Sequence, residues 1–502
     1  MLDALKKMIN EAKKAVEIIE PSIDPIRLVS HYDADGITSA AIIARALLRA
    51  DKKFHISFIK QLNEDFLKKL SEEKQKIIIF SDLGSGQLEL IKRYLSGCKI
   101  IICDHHQPQG EFDCIHINSV KFGIEENVSG SGVAYILART ISPQNKDLSY
   151  LAIIGAIGDC QIDSIGIHWG LVGLNKEILK DAENSGKIKV GKGLRLWGRY
   201  TRPIHKALEY SVDPYLPGIS GSESATIQFL QEIGIALKKG GGWRTIADLT
   251  DEEQKRLADG IIIERIRGKC ENPEYIFGDV YEILSNPPEF KDANEFATIL
   301  NACGKMGKAY IGFELCLNDK NAFSKVKDVL ENYRLEIGKA VNLIYDMIEK
   351  NQIIEKNCIY IIAGNRISEH IISNVISIIK HSNILPDKPV FGFADAEDGV
   401  KISARISDNL AKSINLKDIV SKAAEYVGGV GGGHSRAAGA TIPKGKEEMF
   451  INAVENIVKI LGVDENGGKS NGERRGSYGE KIRTGESSKK VERKGLVQYF
   501  RS

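Results

Sequence analysis

The stretch Ile26-Arg27-Leu28-Val29-Ser30-His31-Tyr32-Asp33-Ala34-Asp35-Gly36 runs from a short apolar segment straight into a turn bearing one imidazole and two carboxylates. The theme recurs twice: Ile77 to Phe80 leads into Ser81 and Asp82, and Ile100 to Cys103 leads into Asp104, His105 and His106. Short β-branched runs without polar alternation read as strands buried on both faces, the habit of parallel sheets. Between the first two runs, Ile37 to Ala50 carries apolar residues at helical spacing. Strand, helix and strand in this order predict a doubly wound α/β domain. In such sheets functional groups gather beyond the carboxyl ends of the strands, where all three polar clusters fall.

Working outward, 502 residues at roughly 150 per domain predict about three domains. Apolar residues at 42% and charged residues at 27% are those of a globular chain and exclude disorder throughout. The longest uncharged apolar stretch, Tyr150 to Gly158, is far shorter than the roughly 20 residues that span a bilayer. Lys6, Lys7, Glu11, Lys13 and Lys14, interleaved with apolar positions, read as an amphipathic helix rather than a signal peptide. The expectation is a cytoplasmic protein without a membrane partner. Eight cysteines with no C-x-x-C pair predict neither a disulfide framework nor a zinc finger, and are expected reduced and buried. Net charge is +2, but residues 463–502 hold ten Lys/Arg against six Asp/Glu, so the remainder totals −2. That excludes binding to duplex DNA through a broadly basic body, and any nucleic-acid contact must be a local groove.

The pattern predicts an α/β domain over 1–185, an irregular, mostly helical intervening domain over 186–314 and a connecting helix within 315–350. A smaller α/β domain follows over 351–462, with strands at Cys358 to Ala363, Val390 to Ala394 and Val400 to Ile406. Residues 463–502, with few large apolar side chains before the very end, read as a flexible tail.

His31, Asp33 and Asp35 stand at alternate positions in a tight turn, and such closely set ligands grip divalent cations where unpaired carboxylates would repel. A solvated Asp-Gly turn would explain that cluster alone. It does not explain Asp82, the Asp104-His105-His106 triplet and Asp159 at the end of the apolar Leu151 to Gly158 run. Farther on, Gly428 to Gly433 is glycine except at Val430, and this run, including Gly432 and Gly433, suits close backbone approach to a phosphate. His434 and Arg436 follow it, and Lys401 and Arg405, four apart in a predicted strand, project to one face. These residues suggest a nucleic-acid grip facing the metal site across a cleft between two lobes. Gly130-Ser131-Gly132 reads as a tight turn near phosphate. Gly186 to Gly193 approximates a phosphate-binding loop but lacks the Ser/Thr that loop needs for Mg²⁺.

The ordered set His31-x-Asp33-x-Asp35-Gly36, Asp82, Asp104-His105-His106 and Gly158-Asp159 resembles the motifs of the DHH phosphoesterase superfamily, and Gly428 to Gly439 resembles the signature of its associated domain. Leu300-Asn301-Ala302-Cys303-Gly304-Lys305-Met306 is similar to a segment of RecJ-type single-strand nucleases, and the whole run is closest to archaeal RecJ-like proteins of the GINS-associated nuclease type. The resemblance implies two Mn²⁺ ions, with Mg²⁺ as the alternative metal. His31 and Asp33 would hold one ion, Asp35, His105 and Asp159 the other, and Asp82 would bridge. It implies that Asp104 orients a histidine, that His106 meets the scissile phosphate or leaving group, and that Asn301 and Lys305 contact nucleic acid. Bacterial RecJ usually has an Asp or similar residue where this chain has His31 and an Arg where it has Lys305; Lys lacks the bidentate phosphate fork.

The expected function is a manganese-dependent exonuclease on single-stranded DNA, with RNA second, working 5′→3′ ahead of 3′→5′ in replication or repair. The alternatives are a nanoRNase or cyclic-dinucleotide phosphodiesterase, and a non-catalytic replisome scaffold. GINS and the sliding clamp are the expected protein partners. The clamp is suggested by Leu496, Tyr499 and Phe500, spaced i, i+3, i+4 at the end of the tail as in a docking peptide, with Arg493 where such peptides usually have Gln.

Overall fold

The computed structural model describes residues 2–461 apart from 125–127, 166–167, 212–213, 271–272, 383 and 412. The chain divides into two units, Met1–Asn332 and the part from Tyr333 onward.

The first unit opens with α1 (Leu2–Ile19), β1 (Ile26–His31), α2 (Ala34–Arg49), β2 (Phe54–Ile59), α3 (Glu64–Glu72), β3 (Ile77–Ser81), α4 (Leu88–Leu95), β4 (Lys99–Asp104) and β5 (Ile115–Asn118). The strands form a five-stranded sheet, order β2-β1-β3-β4-β5, with every pair parallel. Winding reverses between β1 and β3, so the loops leaving these strands diverge and open a crevice at their carboxyl ends. The Val/Ile/Leu runs of β1 and β3 are buried throughout, apart from His31 at the β1 end, as strands covered on both faces must be. α2 is almost wholly buried because Ala, Ile and Leu surround its axis. It packs on α5 (Gly130–Ile141) and α6 (Ser149–Gly158) in one core, while Phe80, Ile91 and Ile102 anchor a second core that includes α3 and α4.

Next come β6 (Ile162–Ile165), β7 (His168–Leu171), α7 (Gly173–Asn184), β8 (Ile188–Leu194), α8 (Ile204–Glu209) and α9 (Glu223–Glu232). A short hairpin, β9 (Lys238–Lys239) and β10 (Gly242–Trp243), precedes α10 (Asp251–Arg267), β11 (Phe277–Ile283), α11 (Ala293–Lys305) and α12 (Ala309–Cys316). Helices α8 to α10 enclose their own core around Leu208, Leu230, Leu257 and Ile261. A four-stranded sheet, order β6-β7-β11-β8, adds to the helical expectation for this region. The Lys/Gly-rich sequence of β8 masked its strand character. It is an edge strand whose ladder to β11, Ile188↔Ile283 through Leu194↔Phe277, supplies what propensity does not. Gly186 therefore makes a left-handed turn (φ 65°) between helix and strand. A phosphate loop needs the opposite order, strand before helix.

α13 (Lys320–Glu349) carries the chain into the second unit, as the long Gly/Pro-poor periodicity predicted. There β12 (Ile354–Glu355), β13 (Ile359–Gly364), α14 (Ile372–His381), β14 (Val390–Ala396), β15 (Gly399–Arg405), α15 (Asp408–Ala411), α16 (Leu416–Tyr426), β16 (Val430–Gly433), β17 (Ala437–Ile442) and α17 (Glu447–Ile460) follow. Its six-stranded sheet has the order β12-β13-β14-β15-β17-β16.

All eight cysteines are free, but only Cys103, Cys303, Cys316 and Cys358 are buried and Cys160 is exposed, which corrects the expectation that all lie inside. Among the described residues no helix is long and apolar enough to cross a membrane. Leu496, Tyr499 and Phe500 lie outside the described residues, as does 463–502 as a whole.

Candidate metal centre

His31 ends β1, Asp33 and Asp35 begin α2, Asp82 follows β3, His105 follows β4 and Asp159 caps the C-terminus of α6. Segments distant in sequence thus meet at the reversal of winding. Asp33 does two tasks: Oδ1 accepts from Gly36 N at 2.9 Å as the helix N-cap, and Oδ2 lies 3.0 Å from His31 Nδ1. Gly36 is required there, since a Cβ would stand 2.2 Å from the His31 carbonyl oxygen.

Asp82 is nearly inaccessible and adopts φ 58°, a left-handed backbone uncommon for a residue with a Cβ and typical of strained functional positions. One oxygen, Oδ2, faces His31 Nδ1 at 3.6 Å, and the other, Oδ1, faces His105 Nε2 at 3.5 Å. His105 Nε2 also lies 3.7 Å from Asp159 Oδ2 and 3.9 Å from Asp35 Oδ2. Three sets of donor atoms lie within 4.8 Å of one another: His31-Asp33-Asp82, Asp35-His105-Asp159, and Asp82-Asp104-His105-His106, which overlaps the other two. Asp82, through Oδ1, reaches the second.

Without cations these charges distort one another's titration. Burial would raise the Asp82 carboxyl, but His105 and His31 hold it well below its ordinary range. Burial would lower His105, but Asp82, Asp35 and Asp159 push it up to about 10. Burial acts likewise on His31, and Asp33 and Asp82 carry it well above the usual value. Asp35 is driven well up by burial and by the Asp82 and Asp159 carboxylates. Burial, with Asp82 and Asp33, raises Asp159 to about 6 against the pull of His105. Asp82 Oδ1 is buried and has no hydrogen-bond partner among the described residues. An orphaned carboxylate oxygen within four carboxylates and two imidazoles is costly to bury unless a cation takes it. The donor set fits divalent metal, and its mixed N/O character fits Mn²⁺ better than Mg²⁺.

The residues that hold this centre were mostly invisible in the sequence. Asp35 Oδ2 and Oδ1 accept from Gly130 N at 2.6 Å and Ser131 N at 3.0 Å, so the Gly130-Ser131-Gly132 turn is a helix N-terminus clamping a metal-site carboxylate. Gly130 admits Asp82, whose Oδ1 would be 2.5 Å from an added Cβ. Gln161 Nε2 donates to Asp159 Oδ2 at 2.8 Å and is itself held by Asn175 at 2.6 Å. Asn301, expected at nucleic acid, uses Oδ1 to accept from Ala34 N at 2.9 Å, and Gly304 meets Tyr32 so closely that a Cβ would lie 2.0 Å from its carbonyl oxygen. The α11 motif thus braces the His31–Asp35 loop from behind, with Lys305 at its last position.

Asp104 is fully buried and His106 is largely exposed. Asp104 Oδ1 lies 2.7 Å from His106 Nδ1 and accepts from His105 N at 2.8 Å, while Oδ2 accepts from Ser85 N at 3.0 Å. Burial would raise Asp104, but the His106 bond brings it down to about 2; in return Asp104 raises His106.

In the second unit, the glycine-rich run is edge strand β16 paired with β17, Gly432 opposite Gly439 and Gly433 opposite Ala438. Part of its glycine content is packing: a Cβ at Gly429 would meet the Thr441 carbonyl oxygen at 2.5 Å and one at Gly431 the Val420 carbonyl oxygen at 2.9 Å, whereas Gly432 faces open space. His434 and Arg436 are exposed in the hairpin turn. Lys401 and Arg405 share a face of β15 and are partly buried. The Arg405 guanidinium donates to Ser377 Oγ at 2.8 Å, Ser403 Oγ at 3.1 Å and the Ala404 carbonyl at 2.8 Å, a structural task its spacing did not disclose.

A carboxylate-imidazole cluster at the winding reversal of a five-stranded parallel sheet defines an α/β protein whose donor groups could hold divalent metal. Models of the DHH family N-terminal domain, the DHH-CID domain and the DHHA1 domain match residues 25–158, 196–274 and 355–460. An uncharacterized protein of Methanocaldococcus jannaschii is 32% identical over 469 residues, covering 91% of this chain and 99% of that protein. The single-stranded-DNA-specific exonuclease RecJ of Thermus thermophilus is 26% identical over 199 residues, 37% of this chain and 28% of its own length. A crystal structure of that organism's RecJ in complex with Mn²⁺ superposes with TM-score 0.56 at 18% identity over 90% of this chain and 55% of that one. CDC45 from Entamoeba histolytica superposes with TM-score 0.57 at 12% identity over 90% and 99% of the two chains. This chain belongs to the DHH superfamily and is a RecJ-like member of it. Membership supports hydrolysis of the nuclease or phosphoesterase kind.

Proposed function

We propose that this protein is a manganese-dependent exonuclease hydrolysing single-stranded nucleic acid, DNA ahead of RNA, in DNA replication or repair. The observation that carries the reading is Asp82, a buried carboxylate with one oxygen turned to each of two imidazole-carboxylate groups. His31 and Asp33 would hold one Mn²⁺, Asp35, His105 and Asp159 the other, and Asp82 both. A pair of such ions, when bound, generates a nucleophile from water and stabilises the attacking and leaving oxygens of an in-line displacement. The chain's own part is to hold the carboxylates against their mutual repulsion, through the Gly130 and Ser131 amides and Gln161, and to exclude bulk water from Asp35 and Asp82. His106, its Nδ1 engaged by Asp104, would turn Nε2 to the scissile phosphate or leaving oxygen and supply charge or a proton there.

In this reading 1–185 is the catalytic domain, 186–314 the intervening domain and 351–462, joined through 315–350, the part that grips nucleic acid. Lys401, Gly432, Gly433, His434 and Arg436 would contact the strand, with Arg405 supporting them and Lys305 contributing near the catalytic loop. GINS and the sliding clamp are the protein partners it implies. The presence of the whole ligand set favours an enzyme over a scaffold, and the intervening region favours a long strand over a dinucleotide.

End-labelled single strands of DNA and RNA, a blunt duplex and short dinucleotides, each with Mn²⁺, with Mg²⁺ and with chelator, test the proposal. Stepwise shortening of single strands with Mn²⁺, a stalled duplex and no reaction with chelator are expected, and the labelled end retained reports polarity. Equal rates on duplex and single strands, or action on dinucleotides alone, would overturn it.

A further inference from the structure

Behind His106 lies a buried polar chain that neither the metal ligands nor the motifs require. It joins the second half of the sheet, β4 and β5, to the loop after β3. Ser85, His116 and Asn118 are all inaccessible or nearly so. Asn118 Oδ1 accepts from Lys121 N at 2.9 Å, which fixes the amide's orientation and makes Nδ2 the donor on its other side. That Nδ2 donates to the His106 carbonyl oxygen at 2.8 Å and to Ser85 Oγ at 2.9 Å. Ser85 Oγ accepts from Asn118, and the acceptor left for its own buried proton among the described residues is His116 Nε2, 2.8 Å away. His116 must present Nε2 unprotonated for this to hold. Burial and the nearby Lys121 keep it neutral, lowering its pKa to about 4. The same Ser85 gives its main-chain N–H to Asp104 Oδ2, and its carbonyl accepts from Gln109 N at 2.8 Å.

We infer that Ser85, Asn118 and His116 form a positioning relay that holds the Asp104–His106 pair: Asn118 fixes the His106 main chain, Ser85 fixes Asp104, and His116 locks the Ser85 hydroxyl from behind. The inference rests on the role proposed for His106. None of the three relay residues is assigned to the metals. The relay sets where His106 stands and which of its nitrogens is free, so its loss should lower turnover and leave metal and strand binding in place. Partners at this distance from the chemistry typically matter by about 10–100-fold.

The test compares His116→Leu, His116→Gln and Ser85→Ala in the full chain, with circular dichroism and melting to confirm folding. Glutamine restores an acceptor for the Ser85 hydroxyl and leucine does not. We expect kcat on a labelled single strand to fall about tenfold or more in His116→Leu and Ser85→Ala, with KM and Mn²⁺ affinity within about twofold, and to recover in His116→Gln. The downfield proton resonance of the His106 Nδ1–H bond to Asp104, assigned by its absence in His106→Ala, should broaden or shift in the first two variants and persist in His116→Gln. Ser85→Ala, a small deletion, reports if His116→Leu fails to fold. Parent-like resonance in folded His116→Leu or Ser85→Ala overturns the relay. The resonance is read on metal-free protein, so it decides the relay even if the parent proves inactive, an outcome that counts against the exonuclease proposal instead.

Discussion

Gly155 lies inside α6 with no ligand of its own, yet replacing it by alanine should nearly silence the enzyme. A Cβ there would stand 2.0 Å from Ser131 Oγ, 2.4 Å from Thr38 Oγ1 and 2.5 Å from Asp35 Oδ1, where ordinary contact begins at 3.4 Å. None of the three can simply swing aside. Ser131 Oγ is held by Ser129 Oγ at 2.7 Å and the Ala152 carbonyl at 3.1 Å, Thr38 Oγ1 by the Ala34 carbonyl at 2.8 Å, and Asp35 by the Gly130 and Ser131 amides. Overpacking of this kind costs about 1–3 kcal/mol, offset by about 1 kcal/mol from the better helix propensity of alanine. The net loss of about 0–2 kcal/mol corresponds to a fall in Tm of at most roughly 8 °C. The Asp35 carboxylate, however, must retreat from 2.5 Å toward 3.4 Å, and a displacement near 1 Å in a catalytic constellation costs about 100-fold. Gly155→Ala should thus melt close to the parent while its Mn²⁺-dependent hydrolysis of a labelled single strand drops by about two orders of magnitude. A folded Gly155→Ala protein with parent activity would refute the reasoning that Asp35 is held in place by packing.

Asp82→Ala should abolish hydrolysis and leave a folded protein, because losing this carboxylate relieves Asp35 and Asp159; calorimetric titration with Mn²⁺ should show weakened binding, and near-normal activity would remove the shared-ligand assignment. For pH dependence, both Asp159 at about 6 and His105 at about 10 bind protons more tightly when folded, so their stabilisation is complete at low pH and is lost as pH rises through those values. Mn²⁺ must displace these protons, so the Tm increment it confers should be larger at about pH 8.5 than at about pH 6, and an equal increment would contradict the coupling. Deleting Gly495 to Ser502 should leave hydrolysis of short single strands unchanged and eliminate binding in a titration with the sliding clamp; unchanged affinity would leave Leu496, Tyr499 and Phe500 without that role.

The sequence by itself determined the chemistry on offer. Polar clusters directly after continuous β-branched runs announce both a parallel sheet and the end of it at which ligands collect, since strand burial and chain reversal are local properties. His31, Asp33, Asp35, Asp82 and His105 were legible for that reason, Asp159 from its place at the end of an apolar run that forms helix α6, and the long α13 from its period. What only the tertiary structure decided is how those side chains are shared and held. Asp35 meets Gly130 and Ser131 across 95 and 96 residues, and Asn301 meets Ala34 across 267. Gly155, Ser85, His116 and Asn118 look like ordinary helix and strand residues in the sequence, because what they contribute is a hydrogen bond or the absence of a Cβ at one point in space. The β8 strand was hidden likewise, since an edge strand rich in lysine and glycine owes its conformation to the ladder it joins rather than to its own propensity.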